Sequence, residues 1–180
     1  MSWDSLGLVS AVISWVGLLF LIWKWKRDGS MTFSQHAAQY RSSRLFYALL
    51  WTVCLPPLFW FMVFPFAEKL ALGLFFKVLV GLACVAMFIA ATVPETTGWR
   101  IRVHRFSAFS MAILFVPILL TVLLAGLSKL VLFFIFPILL FMIWSIMFFV
   151  RHNAQHPRLL VAQALYIFVF HVSIFLAYYF

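Results

Sequence analysis

Six apolar runs, residues 5–25, 45–66, 70–93, 104–126, 128–150 and 158–180, take up most of this chain and restrict it to one kind of fold. At ~1.5 Å of helical rise per residue, each is long enough to cross a hydrocarbon layer of ~30 Å. A lone strand would leave its backbone polar groups unpaired in lipid, so each run is expected to be helical. Nothing in the runs alternates with a period of two, which argues against a β-barrel. The sequence therefore predicts an all-α fold: a single integral membrane domain over residues 1–180, built from six transmembrane helices. The composition agrees, because only 9% of the residues are charged and 67% are hydrophobic, whereas charged residues approach ~25% of a soluble domain.

In a soluble chain the net charge of +9 would suggest nucleic acid; here it reads as topology, and no nucleic-acid partner is expected. Lys24, Lys26, Arg27, Arg41 and Arg44 fall between the first two runs. Arg100, Arg102 and Arg105 fall between the third and fourth, and Arg151 and Arg158 between the last two. Lys69 and Lys129 are all that the other side holds. Basic residues gather in cytoplasmic loops, so both termini are expected on the non-cytoplasmic side of a cell membrane, plasma or bacterial inner. Trp3, Trp23, Trp25, Trp99, Tyr178 and Tyr179 fall where amphipathic rings anchor helices at the membrane surface. Cys54 and Cys84 lie inside apolar runs without a pairing pattern. The first run has neither a basic segment before it nor a small-residue cleavage site after it, so it is expected to remain as a helix.

Between the first two runs, Thr32, Phe33 and Ser34 are able to start a short helix through His36, Ala37, Tyr40, Arg41 and Arg44. Such a helix is expected at the lipid surface with its basic residues toward anionic headgroups. The plainer alternative is a charged linker that serves only orientation.

Inside the runs there is no Asp or Glu, which argues against the acidic relays of pumps and antiporters. Away from the run ends, Lys77 and His171 are the basic residues that remain, and helical rise puts both ~10 Å below the non-cytoplasmic surface. Ser14 and the helix-kinking residues Pro56, Pro57, Pro117 and Pro137 fall near the same depth. Together they suggest a pocket in which Lys77, His171 and Ser14 hold a small anionic amphiphile or lipid. The competing reading lets Lys77 snorkel to the interface and His171 bond a neighbouring helix.

At the basic end, Arg100, Arg102, His104 and Arg105 face His152 and Arg158 across the last loop, with Arg151 and His156 nearby. Arginine forks match phosphate oxygens, and a lipid headgroup is the nearest phosphate, so this set is the candidate headgroup site. Ser107, Ser110, Ser145 and Gln163 extend a polar path inward. A solvated basic rim is the alternative. His152 and His156 have a spacing that puts two imidazoles on one helix face. Too few further ligands lie near them, so no metal and no cofactor is assigned. A bis-histidine haem would make the protein an electron carrier, but it needs facing pairs inside the bundle, and His171 has no partner at its depth. No hydrolase or nucleotide-binding motif is present.

Pro94 and Glu95 after the third run, a short polar loop, then His104 at the head of the fourth with Ala108 one turn later carry a resemblance. They resemble the pattern of a six-helix prokaryotic membrane family grouped as domain of unknown function 998. More distantly the chain is similar to the Frag/DRAM/Sfk six-span proteins, which are linked to lipid handling. The stretch of Thr32, Phe33, Ser34, Gln35, His36, Ala37 and Ala38 belongs to the same resemblance. It implies that Glu95 and His104 are the residues of interest. If the protein is an enzyme, they are the candidate catalytic acid–base pair acting on a headgroup. The expectation for function is a multi-pass protein that binds or handles a membrane lipid. A structural subunit, alone as a homo-oligomer or with another membrane protein, is the alternative.

Overall fold

A computed structural model of the chain describes residues 5–25, 31–151 and 158–180. They form α1 (Ser5–Lys24), α2 (Phe33–Ala38), α3 (Arg41–Lys69), α4 (Leu74–Thr92), α5 (Trp99–Leu123), α6 (Lys129–Arg151) and α7 (Leu159–Tyr179). No strand occurs among the described residues. All but α2 are long and apolar enough to cross a membrane, so the chain has the make-up of a multi-pass membrane protein.

Two helices start earlier than the apolar runs do, α3 at Arg41 and α5 at Trp99. Helical hydrogen bonding does not stop where hydrocarbon stops, and arginine and tryptophan are at home in the headgroup layer. α4 starts later, at Leu74, because residues 70–73 make the turn from α3. There Ala71 takes φ 50° and the Leu72 N–H bonds back to the Ala67 carbonyl at 2.8 Å. This closure satisfies carbonyls that the end of α3 would otherwise leave open.

The α1–α3 contact is built on small residues. Gly7, Ser10, Ser14 and Gly17 are all buried on one side of α1. A Cβ at Gly7 would lie 2.3 Å from the Phe61 ring, and one at Gly17 would lie 2.4 Å from Leu50. Without lipid-expelling force between helices, such close approach supplies the packing attraction. The Ser10 hydroxyl adds a bond to the Cys54 carbonyl at 2.6 Å.

α3 keeps α-helical hydrogen bonding through Pro56 and Pro57 and widens to a π-helical stretch at Met62–Phe66, around Pro65. A wider turn moves the carbonyl that a proline ring would otherwise meet.

α1, α3, α4, α5 and α7 surround the interior, and α6 packs against α5 and α7 with Val131, Ile135, Leu139 and Met142 buried in the core. Trp15 of α1 meets Phe168 and His171 of α7, with ring centroids 5.8 and 6.5 Å apart. Phe61 of α3 meets Tyr178 of α7 at 5.0 Å and also faces Gly7, so the Ser5 end of α1 and the Tyr179 end of α7 share one end of the bundle. There the Lys69 ammonium also bonds the Tyr178 carbonyl. α6 shows the surface that lipid requires, with Phe133, Phe136, Leu140 and Trp144 exposed.

α2 departs from the surface-lying helix that the sequence suggests. It ends at Ala38, Arg41 and Arg44 belong to α3, and Phe33, Ser34, His36 and Ala37 are buried against the bundle. Phe33 at the start of α2 and Ala37 a turn later supply an apolar face that water would not tolerate exposed. The basic residues that would have faced lipid are not on this helix at all.

Candidate functional site

The turn between α4 and α5 follows from three residues. Val93 precedes a proline and is extended (φ −90°, ψ 107°), as that position favours, and this ends α4. The Thr96 N–H bonds to the Pro94 carbonyl at 2.8 Å, and Gly98 takes φ 64°, a conformation that side chains resist. α5 then begins at Trp99, and Glu95 is left lying against its first turns.

Glu95 is the centre of a small network. Its Oε1 accepts from Arg105 Nε at 2.9 Å and its Oε2 accepts from the Ser34 hydroxyl at 2.9 Å. The carboxylate side chain is 7% exposed while Arg105 is 56% exposed, so the pair has a buried anion and a cation at the rim. His104 is buried, and its Nδ1 lies 2.8 Å from the Val93 carbonyl. A carbonyl only accepts, so Nδ1 carries a proton. Nε2 is 3.8 Å from Glu95 Oε2, too far for a direct hydrogen bond.

α2 closes this arrangement from the side. Thr32 and Gln35 form a reciprocal capping box, with the Thr32 N–H on Gln35 Oε1 at 2.9 Å and the Gln35 N–H on Thr32 Oγ1 at 3.2 Å. The Phe33 N–H bonds to Gln163 Oε1 of α7 at 3.0 Å. A short loop helix therefore ties α7 to the α4–α5 turn.

Between these groups lies a cleft of about 290 Å³. Glu95, His104, Arg105, Ser34 and Gln163 line its polar end, while Ala108, Ala112, Phe149 and Ile167 line its apolar part. Tyr166 also lines it and bonds the Ala112 carbonyl through its hydroxyl at 2.5 Å. Deeper in the bundle is a separate chamber of about 60 Å³, lined by side chains of α3, α4, α5 and α7 that are apolar except for His171 and the edge of Trp51.

Of the residues the sequence singles out, the structure brings Glu95, His104 and Arg105 together at the cleft. Arg100 and Arg102 are exposed on the first turn of α5 and do not line it, and Arg100 instead lies 5.9 Å from the Trp99 ring. Arg158 is exposed at the start of α7, outside the cleft lining. His152 and His156 lie outside the described residues.

The structure does not assemble Lys77, His171 and Ser14 at one cavity. His171 lines the chamber, with Nδ1 bonded to its own helix at Ile167 (2.8 Å). Lys77 is half-buried with its ammonium 5.7 Å from the Phe64 ring, and it lines neither cavity. The Ser14 hydroxyl bonds the Ala11 carbonyl of its own helix at 2.8 Å within the small-residue contact to α3. Nor do Pro56, Pro57, Pro117 or Pro137 line the chamber. Depth along a helix places residues in a layer, but rotation about each axis decides whether they meet.

Thr32, Ser34 and Gln35 join the site without having been expected there. The Thr32 and Gln35 spacing signals a helix start, but nothing local signals that this helix docks on α7. Ser107 and Ser145, expected to continue a polar path, are buried on α5 and α6 and do not line the cleft. Among the described residues no group of His, Cys, Asp and Glu is placed to hold a metal. Compared with family models, with curated proteins and with solved structures, the chain finds no match.

Proposed function

We propose that the protein binds or handles a membrane lipid or small anionic amphiphile, with the ligand's polar end in the cleft beside Glu95, His104 and Arg105. One observation carries this reading. The cleft is polar at one end and apolar along the rest, in a bundle whose outer surface suits lipid. A solute that is polar throughout would leave the apolar part unfilled, and a hydrocarbon alone would desolvate the polar end at a cost. Glu95 has both oxygens engaged by Arg105 and Ser34, which suits a group that positions others better than one that moves a proton.

The residues for which the sequence suggested a family resemblance fall at the same place. Glu95, His104 and Ala108 line the cleft, and so do Thr32, Ser34 and Gln35. With basic residues taken as cytoplasmic, this end of the bundle opens at the inner leaflet of a cell membrane, and the Ser5 and Tyr179 helix ends face outward. A thiol-reactive, membrane-impermeant label on a cysteine at Thr96 reads that orientation in intact cells.

Ala108→Trp tests the binding reading, because it fills the cleft without removing any of the polar contacts. Native mass spectrometry of detergent-purified protein is expected to show a retained lipid. Ala108→Trp should lower its occupancy on the order of tenfold, while Leu140→Trp on the exposed face of α6 leaves it unchanged. Equal lipid retention in all three proteins would remove the reading and favour a structural subunit.

A further inference from the structure

Consecutive residues at the start of α2 order three donor-bearing side chains of the cleft. The Thr32 N–H bonds to Gln35 Oε1 at 2.9 Å and the Phe33 N–H bonds to Gln163 Oε1 at 3.0 Å. The Ser34 hydroxyl bonds to Glu95 Oε2 at 2.9 Å, and the other Glu95 oxygen takes Arg105 Nε. A backbone N–H only donates, so each glutamine turns its oxygen to it and leaves its NH2 group over. Arg105 likewise keeps the guanidinium donors beyond Nε. None of these remaining N–H groups has a partner among the described residues. The hydroxyl hydrogens, by contrast, are committed inside the protein: Ser34 donates to Glu95, Tyr166 donates to the Ala112 carbonyl, and Thr32 lies 3.0 Å from the Ser34 oxygen, which is left to accept from it. What α2, α5 and α7 still offer a ligand at this end of the cleft is chiefly N–H donors.

Resting on the lipid reading above, we propose that the polar end of the ligand is the phosphate ester of a phospholipid, bound by Arg105 together with the side-chain amides of Gln35 and Gln163. Arg105 supplies the charge, and its fork matches phosphate oxygens. A phosphate is tetrahedral and presents acceptor oxygens on several sides, so donors from three elements reach it together. A carboxylate has two oxygens in one plane. The hydroxyl of a diacylglycerol brings a hydrogen that needs an acceptor of its own, where both amide oxygens and both oxygens of Glu95 are already engaged. Thr32, Phe33 and Ser34 act here as positioning residues, because their bonds aim the donors and leave the ligand to Gln35, Gln163 and Arg105.

The test offers the full chain, purified in detergent and stripped of lipid, an equal mixture of dioleoyl phosphatidylmethanol, dioleoylglycerol and oleate, and reads retention by native mass spectrometry. Phosphatidylmethanol should be the species kept. Gln35→Glu and Gln163→Glu preserve the oxygen that accepts from Thr32 or Phe33, and glutamate suits a capping box as well as glutamine does, but each puts an anion where a donor stood. Either change should lower phosphatidylmethanol retention on the order of tenfold while the melting temperature stays close to that of the original. Equal retention of dioleoylglycerol or oleate, or retention that ignores both variants, overturns the phosphate assignment; if Ala108→Trp still releases the lipid, the cleft reading stands. Retention that ignores Ala108→Trp as well overturns both. Equilibrium dialysis with radiolabelled inorganic phosphate separates the two sources of this chemistry: phosphate bound by a chain that keeps none of the three probes would assign the donors to a free ion and overturn the lipid reading with the proposal. If the glutamate variants fail to fold, the choice among the three probes by the unaltered protein decides by itself.

Discussion

Arg105 Nε donates to Glu95 Oε1 at 2.9 Å across the turn that joins α4 to α5, and the anion of this pair is nearly buried while the cation is more than half exposed. That asymmetry orders the consequences of breaking it. Glu95 also receives the Ser34 hydroxyl and so couples α2 to the turn.

Glu95→Gln is expected to destabilise the protein by about 1–3 kcal/mol, the usual worth of a hydrogen bond to a charged group. Arg105→Gln should cost as much or more, because it leaves the nearly buried carboxylate without its cation. Thermal unfolding in detergent ranks the two. Hydrogen exchange over residues 33–38 should quicken in Glu95→Gln, which weakens the bond to Ser34, and less in Arg105→Gln, which keeps it. Unchanged stability in both variants would show that the buried carboxylate is not the tie.

The α1–α3 contact predicts a contrast among glycines. Gly7→Ala or Gly17→Ala pushes a methyl group against Phe61 or Leu50, and overpacking of this kind costs about 1–3 kcal/mol. Gly81, in the middle of α4, has its nearest neighbour 3.9 Å from where a Cβ would sit. Gly81→Ala should therefore be neutral or stabilising by roughly 0.5–1 kcal/mol, through helix propensity. Thermal stability of the three variants side by side checks the order.

Gly98 carries a different constraint. A Cβ there would meet no atom within 4 Å, yet the φ of 64° with ψ −135° belongs to glycine. Gly98→Ala should cost about 1–3 kcal/mol from backbone strain alone. Because the strain falls on the turn that sets Glu95 against α5, retained lipid should decline together with stability. A Gly98→Ala protein that melts like the original would place the turn in another conformation.

Lys77→Met separates two pictures of the ligand site. Lys77 lies beside Phe64 and lines neither the cleft nor the chamber. Its replacement should leave lipid retention within experimental scatter while Ala112→Trp, inside the cleft, lowers it on the order of tenfold. A large loss on Lys77→Met would return the ligand to the opposite end of the bundle.

The site is partly local and partly not. Pro94, Glu95, Gly98 and His104 are close in the chain, and a proline stop followed by a glycine turn brings Glu95 to the head of α5 by short-range geometry. The bond from Phe33 to Gln163 spans 130 residues and had no trace in either segment. The Thr32 and Gln35 capping box announced α2, but which surface buries Phe33 depends on helices from distant parts of the chain.

Read alone, the chain determined its six long helices, their approximate lengths and the gathering of basic residues at one end, because run length and charge act through the solvent and need no partner. Rotation of each helix was decided only by the tertiary structure. In spans apolar on nearly every side, periodicity does not mark an inner face. Close approach at Gly7 and Gly17 sets α1 against α3, and the seat of α2 between the α4–α5 turn and α7 sets the cleft. For that reason Lys77 and His171, equal in depth, line no common cavity, while Glu95, His104 and Gln163 line the same one.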